Sequence, residues 1–410
     1  MISAAADLRP VLTDPVASRL PGTTPEFELL LDCCAKRLAS SLSKCTWSFD
    51  PQQHDWKFFI TLAEHHGVTP LVYHSLTPHF DRLPLPDSAL LREKYEENAR
   101  KTLWLTGELI RAQRHLEVCG IKAMPYKGAV LAQTLYGAVT ERQFGDIDIL
   151  VRPEDVGAAK DALATAGYRP TIRLNPRQER AFIQAGYECP FDGPAGAHLV
   201  ELHWRILPRF YSVDFDMAGL FEKAEWSTMH GCSIPTLCPD DLLLVLCVHA
   251  AKHVWAQLSW LCDIAELARS QPIDWDAVWQ RASSLGIRRI VILNLLLAHD
   301  LFGSVLPIPI QQWLETDRTC QILKVEILRI ITLGLPYDTE SLAYFRLMIR
   351  LRERISDKAR FLWRLIWSPG IGEWSAVQVP EWFFPVYHFV RLGRLAKRIG
   401  GLFATGTVRL

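Results

Sequence analysis

Two aspartates, Asp146 and Asp148, stand one residue apart in a short hydrophobic stretch that continues to Val151. If this stretch is a β-strand, both carboxylates leave one face, while Ile147 and Ile149 point into the core. Two unpaired carboxylates so close repel each other, and a divalent cation relieves that repulsion. Mg²⁺ favours oxygen ligands from one or two carboxylates together with substrate phosphates. A solvated strand end with surface ion pairs would give the same pattern, so the pair alone does not decide.

Features upstream and downstream of the aspartates favour a metal site. Lys127 and Gly128 stand where a strand is expected to end and a helix to begin. Helix-terminal N–H groups there can bind an anion, and the lysine adds a point charge. Glu201 lies in an alternating strand pattern at residues 199–203 and would supply a third carboxylate. Three carboxylates can hold two cations, of which one orients a triphosphate and the other lowers the pKa of an attacking hydroxyl.

Taken together, these segments resemble a known family. KGA at 127–129, GDIDILV at 145–151, ELHW at 201–204 and HAAKH at 249–253 are similar to the bacterial group described as uncharacterised nucleotidyltransferases. That group lies within the DNA polymerase β-like nucleotidyltransferase superfamily, and the resemblance extends over residues 56–302. It implies transfer of a nucleoside monophosphate from an NTP, with pyrophosphate leaving and with Mg²⁺ or Mn²⁺ as cofactor.

The resemblance also implies roles for single residues. Asp146 and Asp148 would bind both metal ions. Glu201 would bind the catalytic metal and help to deprotonate the acceptor. Lys127 and Gly128 would form the phosphate-binding turn.

Three further positions close to these motifs bear on the site. Ala129 follows the glycine where the wider superfamily often has Ser or a second Gly, so a phosphate-binding hydroxyl is missing. Arg142, four residues before Asp146, either contacts phosphate or pairs with the acids. His203 faces the same side as Glu201, so it either touches substrate or belongs to the core.

A second group of polar residues lies on a predicted helix. At about 100° per residue, His249, Lys252, His253, Trp260 and Asp263 share one face. The glutamate that a zinc protease needs between the histidines is absent. We interpret this face as a cleft wall opposite the carboxylates, with Lys252 or a histidine near the nucleotide. The alternative is a buried, hydrogen-bonded histidine pair in a helical bundle.

Hydrophobic periodicity predicts an α+β fold in which helical domains flank a small mixed β-sheet. The expected segments are a mobile N-terminus at 1–24, a helical domain at 25–117, an α/β core at 118–236, a helical domain facing the site at 237–305, and a basic, aromatic-rich helical region at 306–410. Within the core, strand–helix–strand–helix–strand is followed by a hairpin. One unbroken helix is expected from residue 239 to about residue 268.

Composition narrows the function only slightly. The 45 basic and 45 acidic residues balance, so net charge indicates no partner. Ten cysteines without a CxxC motif suggest buried thiols rather than a zinc site. The N-terminus lacks the apolar core of a secretory signal, and the longest apolar stretch, at 290–302, is too short to span a membrane. We therefore expect a cytoplasmic location.

The basic C-terminal helices are expected to form a solvated charged face. Apart from these basic helices, the sequence contains nothing that supports nucleic acid or a membrane surface as a partner.

Three classes of function stay open on the sequence. The leading one is a metal-dependent nucleotidyltransferase that acts on an unidentified small molecule, peptide or protein hydroxyl. The second is a non-catalytic relative that binds nucleotide or a partner protein, which the three carboxylates disfavour. The third is a helical scaffold with a structural α/β insert. Convergence of Asp146, Asp148 and Glu201 within a few ångströms would favour the enzyme.

Overall fold

The computed structural model describes residues 23–38, 50–172, 174–193, 199–307, 310–311, 317–334, 341–368 and 386–393. The segment expected to be mobile, 1–24, lies almost wholly outside these residues, and so does the tail after residue 393. Among the described helices, none combines the length and apolar composition that crossing a bilayer requires.

Four α-helices precede the sheet in the part of the chain described. They are α1 (Pro25–Leu38), α2 (Trp56–His65), α3 (Thr69–Leu76) and α4 (Leu85–Val118). The long helix α4 packs against a strand at 123–125 and a helix at 156–165 of the sheet domain. It thereby covers one face of the sheet.

The α/β core contains two short α-helices that the sequence pattern did not predict. Its elements are β1 (Ala123–Pro125), α5 (Gly128–Tyr136), β2 (Ile147–Val151), α6 (Val156–Thr165), β3 (Arg169–Pro170), α7 (Pro176–Ala185), β4 (Glu188–Asp192), β5 (Leu199–His203), α8 (Met217–Glu222), β6 (Glu225–Met229) and β7 (Cys232–Thr236). The sequence prediction missed α7 because Phe182 is its only buried residue, which leaves little periodicity. Asn175 and Gln178 form a capping box before it, a signal that periodicity alone ignores.

Five strands of the described chain form one small mixed sheet, as expected, and their order is β1-β2-β5-β4-β3. Strands β2 and β5 are parallel, and the other neighbours are antiparallel. One face is hydrophobic, and its Ile149 and Val200 join a core with α4 and α6. Asp148, Glu201 and His203 alternate with these residues, so they lie on the opposite face.

Seven further α-helices whose two ends lie in the described residues follow the sheet, and residues 386–393 are helical as well. The seven are α9 (Pro239–Lys252), α10 (Leu258–Ser270), α11 (Trp275–Leu285), α12 (Arg288–Phe302), α13 (Arg318–Leu333), α14 (Leu342–Arg350) and α15 (Ile355–Trp367). They share one hydrophobic core with α1, α2 and α3, and this core reaches Met124 and Leu150 on the polar side of the sheet. The second face of the sheet is therefore covered by helices.

The helix expected to be unbroken is interrupted after Lys252, which corrects the sequence-based prediction. Val254 and Trp255 adopt φ angles of 54° and 52°, a region that bulky residues rarely occupy. Trp255 is fully buried, and its Nε1 donates a 2.7 Å hydrogen bond to Asn294 Oδ1 on α12. Both residues are hydrophobic, so their periodicity gave no sign of a turn.

Several basic residues of the C-terminal helices have partners inside the protein. Arg352 is buried and donates a 2.6 Å hydrogen bond to the carbonyl oxygen of Tyr211. Arg364 makes two 2.8 Å hydrogen bonds to the carboxylate of Asp214. These arginines tie α14 and α15 to the rest of the chain, which argues against a uniformly solvated basic face.

A buried ion pair joins the α/β core to α10. Arg142, in the loop before β2, donates from Nη2 to Asp263 Oδ2 at 2.8 Å and from Nε to both carboxylate oxygens at 3.0 Å. The hydroxyl of Tyr136 donates to Asp263 Oδ1 at 2.9 Å. The acid that pairs with Arg142 is therefore Asp263 rather than Asp146 or Asp148.

Removing one partner of this pair should strongly destabilise the protein, because the other charge stays buried and uncompensated. Arg142→Met or Asp263→Leu alone should each cost about 3–5 kcal/mol of unfolding free energy. The double variant should lose less than the sum of the two, as measured by urea unfolding. Strictly additive losses would contradict a direct coupling.

Candidate active site

Two adjacent parallel strands bring the candidate ligands together. Asp148 on β2 is the register partner of Glu201 on β5, and His203 follows two residues later on the same face. One ligand atom from each of these three residues lies within 4.8 Å of the others. His203 Nε2 is 3.0 Å from Asp148 Oδ1 and 3.3 Å from Glu201 Oε2. Asp148 and His203 are buried, whereas the Glu201 side chain is 22% exposed.

Asp146 lies beside this group without belonging to it. It precedes β2, is half-buried, and lines a narrow gap together with Lys127, Gly128 and Asp148. Repulsion from Asp148, added to burial, raises the pKa of Asp146 to about 6. The sequence grouped Asp146, Asp148 and Glu201, whereas the closest group in the structure has His203 as its third member.

Lys127 and Gly128 stand at the expected strand–helix turn. Lys127 immediately precedes α5, and its Nζ donates a 2.7 Å hydrogen bond to Asp148 Oδ1. Burial favours the neutral acid, but Lys127 and the hydrogen-bonded His203 outweigh it and lower the pKa of Asp148. Gly128 has φ +55°, and a Cβ there would lie 3.3 Å from the Asp146 carbonyl oxygen. The turn thus requires glycine and passes directly over the loop that carries Asp146.

Helix α9 supplies a second lysine opposite the carboxylates. Lys252 Nζ donates a 2.7 Å hydrogen bond to the Tyr187 hydroxyl. Burial and the charge of Lys127 lower the pKa of Lys252, whereas Glu188 and Glu201 oppose that shift. These electrostatic interactions place Lys252 on the side of the site that faces the acids.

The histidines of α9 form a ring cluster with Trp260. The ring centroids of His249 and His253 are 4.8 Å apart, and they lie 5.2 Å and 5.3 Å from that of Trp260. Burial and the neighbouring lysines lower the pKa of both histidines, that of His253 to about 3. Both rings are therefore neutral at pH 7. Asp263 was expected on the same helix face as these histidines. The helix is broken between His253 and Trp260, and Asp263 instead binds Arg142.

Sequence reasoning missed two residues behind His203. Glu188 on β4 is the register partner of His203, and its Oε2 lies 3.6 Å from His203 Nδ1. The Tyr187 hydroxyl donates a 2.5 Å hydrogen bond to Glu188 Oε1. The hairpin register could have found this contact, since pairing Asp192 with Leu199 puts Glu188 opposite His203.

The donor set fits a divalent cation. It combines two carboxylates and an imidazole on one face, and repulsion has already raised the pKa of the neighbouring Asp146. Such repulsion is relieved when a cation binds. His203 directs Nε2 at both carboxylates, and its buried Nδ1 has no hydrogen-bond partner among the described residues.

The chain has a small mixed sheet with acids on adjacent strands, and a glycine turn at the start of a helix lies next to them. These features define an α+β nucleotidyltransferase core. The chain belongs to the family described as uncharacterised nucleotidyltransferase, whose model matches residues 52–303. The matched segment includes every candidate site residue named above. No curated protein and no solved structure matches the chain significantly.

The depressed pKa of His253 should make the protein less stable in acid. Its folded-state pKa is about 3 against an ordinary 6.5, so between these values only the unfolded chain takes up the proton. Unfolding free energy should fall by about 1.4 kcal/mol per pH unit as pH drops below about 6.5. His253→Gln should remove this contribution in urea unfolding at pH 4.5–7.5. His230→Asn, at an exposed turn, should leave it, and equal pH slopes for wild type and His253→Gln would contradict the assignment.

Proposed function

We propose that the protein transfers a nucleoside monophosphate from an NTP to the hydroxyl of a small molecule, peptide or protein, with Mg²⁺ or Mn²⁺ as cofactor. The observation that carries the proposal is the pairing of Asp148 with Glu201 on adjacent parallel strands, with ligand atoms within 4.8 Å. Membership of a nucleotidyltransferase family supports the type of reaction.

The carboxylates divide into two overlapping ligand sets in this proposal. Asp148 and Glu201 hold the cation on the acceptor side, and Asp146 and Asp148 hold a cation on the triphosphate side. A bound cation neutralises phosphate charge and lowers the pKa of the attacking hydroxyl. Glu201 is the most exposed member of the close group, so it can also accept the proton of the acceptor hydroxyl.

Phosphate binding in this proposal rests on backbone and lysine rather than on a hydroxyl. Ala129 offers no side-chain donor, but the first N–H groups of α5 and the charge of Lys127 face the position of an anion. Lys252 approaches the same region from α9, as its interactions with Lys127 and Glu201 indicate. The triphosphate would then lie between a helix terminus and two lysines.

The remaining predicted residues act around the nucleotide. His249 and His253 are neutral rings packed with Trp260, so we assign them to the base or ribose rather than to phosphate. Arg142 is held by Asp263 and acts on the site by fixing the loop that carries Asp146.

One contact favours a second candidate, a nucleotide-binding protein without catalysis. Lys127 Nζ lies 2.7 Å from Asp148 Oδ1, so the lysine and a cation compete for the same oxygen. A lysine that never leaves would block metal binding. Transfer would then be absent, while nucleotide binding to the helix terminus would persist.

Asp148→Asn should abolish nucleotide transfer while preserving the fold. Wild-type protein incubated with cell extract and labelled ATP, GTP, CTP or UTP should incorporate label in a divalent-cation-dependent manner. Losing several kcal/mol of metal-derived stabilisation should lower incorporation by at least about 100-fold. The matched control is Asp192→Asn, which removes an exposed carboxylate. Asp192 ends β4, whereas Glu188 at the start of β4 lies beside His203. This variant should keep wild-type incorporation.

Two outcomes of this assay would count against the enzyme. Equal incorporation by wild type and Asp148→Asn would exclude Asp148 from the reaction. Nucleotide binding by wild-type protein without any incorporation would support the non-catalytic candidate.

A further inference from the structure

The third member of the close ligand group is an imidazole rather than a carboxylate. We infer that His203 binds the acceptor-side cation through Nε2, that Glu188 orients the ring, and that the site therefore prefers a first-row transition metal such as Mn²⁺ to Mg²⁺. This inference rests on the proposed function, because it concerns the metal of the same site.

The spacing of the donor atoms suits a shared cation. In an octahedral site with bonds of about 2.1 Å, neighbouring ligand atoms lie about 3 Å apart. His203 Nε2 is 3.0 Å from Asp148 Oδ1 and 3.3 Å from Glu201 Oε2. The distance from Nε2 to each carboxylate therefore suits a shared ion once the Lys127 ammonium leaves Asp148 Oδ1.

The ring of His203 is buried and packs against two tyrosine rings. Its side chain is 2% exposed, and the rings of Tyr126 and Tyr187 pack at centroid distances of 5.5 Å and 5.9 Å. The imidazole cannot turn towards solvent without displacing these rings. Nε2 consequently stays directed at Asp148 and Glu201.

The opposite nitrogen of His203 faces a carboxylate. A metal on Nε2 requires the neutral imidazole with its proton on Nδ1, and metal-bound histidines usually donate that proton to a carboxylate or carbonyl. His203 Nδ1 is buried without a hydrogen-bond partner in the described chain, and Glu188 Oε2 lies 3.6 Å away. Closing this gap by a few tenths of an ångström makes the hydrogen bond.

Glu188 is itself positioned by a chain of hydrogen bonds. Lys252 donates to the Tyr187 hydroxyl, and that hydroxyl donates to Glu188 Oε1. The other carboxylate oxygen, Oε2, is thereby left to face His203. Glu188 is a positioning residue, because it acts on the cation through His203.

The donor set determines the expected metal preference. Mg²⁺ favours all-oxygen sites and keeps several water ligands, whereas imidazole nitrogen suits first-row transition metals. A site with two carboxylates and one histidine should bind Mn²⁺ more tightly than Mg²⁺. The competing explanation is that a protonated His203 only compensates the carboxylate charge, and a nitrogen-sensitive measurement separates the two.

The test is electron spin echo envelope modulation (ESEEM) of Mn²⁺ bound to the full-length wild-type protein. Modulation from a directly bound ¹⁴N is expected, and labelling histidine with ¹⁵N should change its frequencies. His203→Gln should lose the modulation and bind Mn²⁺ about 10- to 100-fold more weakly, with a smaller Mn²⁺-to-Mg²⁺ affinity ratio. Glu188→Gln should keep the nitrogen signal but bind Mn²⁺ more weakly. His230→Asn, which changes a histidine at an exposed turn, should keep the signal unchanged.

Bound Mn²⁺ without nitrogen modulation, or no Mn²⁺ binding at all, would overturn the inference. The wild-type ¹⁵N comparison gives the answer even if His203→Gln fails to fold. Nitrogen coordination in a protein that incorporates no labelled nucleotide would refute the proposed function alone. Incorporation without nitrogen coordination would refute the histidine ligand alone.

Discussion

Mutual repulsion of carboxylates at one end of β2 and β5 is the constraint on which the rest of the site depends. Asp148 is buried beside Glu201 and is close enough to raise the pKa of Asp146 to about 6. Such a group persists only when positive charge compensates it. Lys127 supplies that charge from the sheet domain and Lys252 supplies it from α9.

This need for compensation explains why helices must pack over the polar face of the sheet. Lys252 stands at the end of α9 and binds the hydroxyl of Tyr187, which directly precedes β4. The turn containing Val254 and Trp255 follows immediately. The Arg142–Asp263 pair joins the loop before β2 to α10. The site is therefore a property of two packed layers rather than of the sheet alone, and a shift of α9 against the sheet separates Lys252 from the acids.

The sequence predicted the parts of the site that depend on local pattern. The boundaries of α5, the strand nature of β2, and the position of Glu201 in a strand follow from glycine position and alternation. The parallel pairing that sets Asp148 beside Glu201 joins residues more than 50 positions apart, and a family resemblance supplied that link. The predicted α+β architecture with a small mixed sheet is confirmed by the strand topology and by the family match.

The features that depend on tertiary contacts could not be predicted from the sequence. The break after Lys252 is made by two hydrophobic residues whose φ angles are stabilised by burial against α12. The partner of Arg142 is an acid 121 positions away, so no spacing rule connects them. Glu188 stands in a strand with no motif of its own, and only the hairpin register reveals that it faces His203.

The central claim is that Asp148 and Glu201 form a divalent-cation site for nucleotidyl transfer. Its most direct test is anomalous diffraction from crystals grown with Mn²⁺ and a non-hydrolysable NTP analogue. The account predicts an anomalous peak within about 2.5 Å of carboxylate oxygens of both residues, with the Lys127 ammonium moved from Asp148 to a phosphate oxygen. Bound nucleotide with no peak at these carboxylates, and with Lys127 still on Asp148, would contradict it.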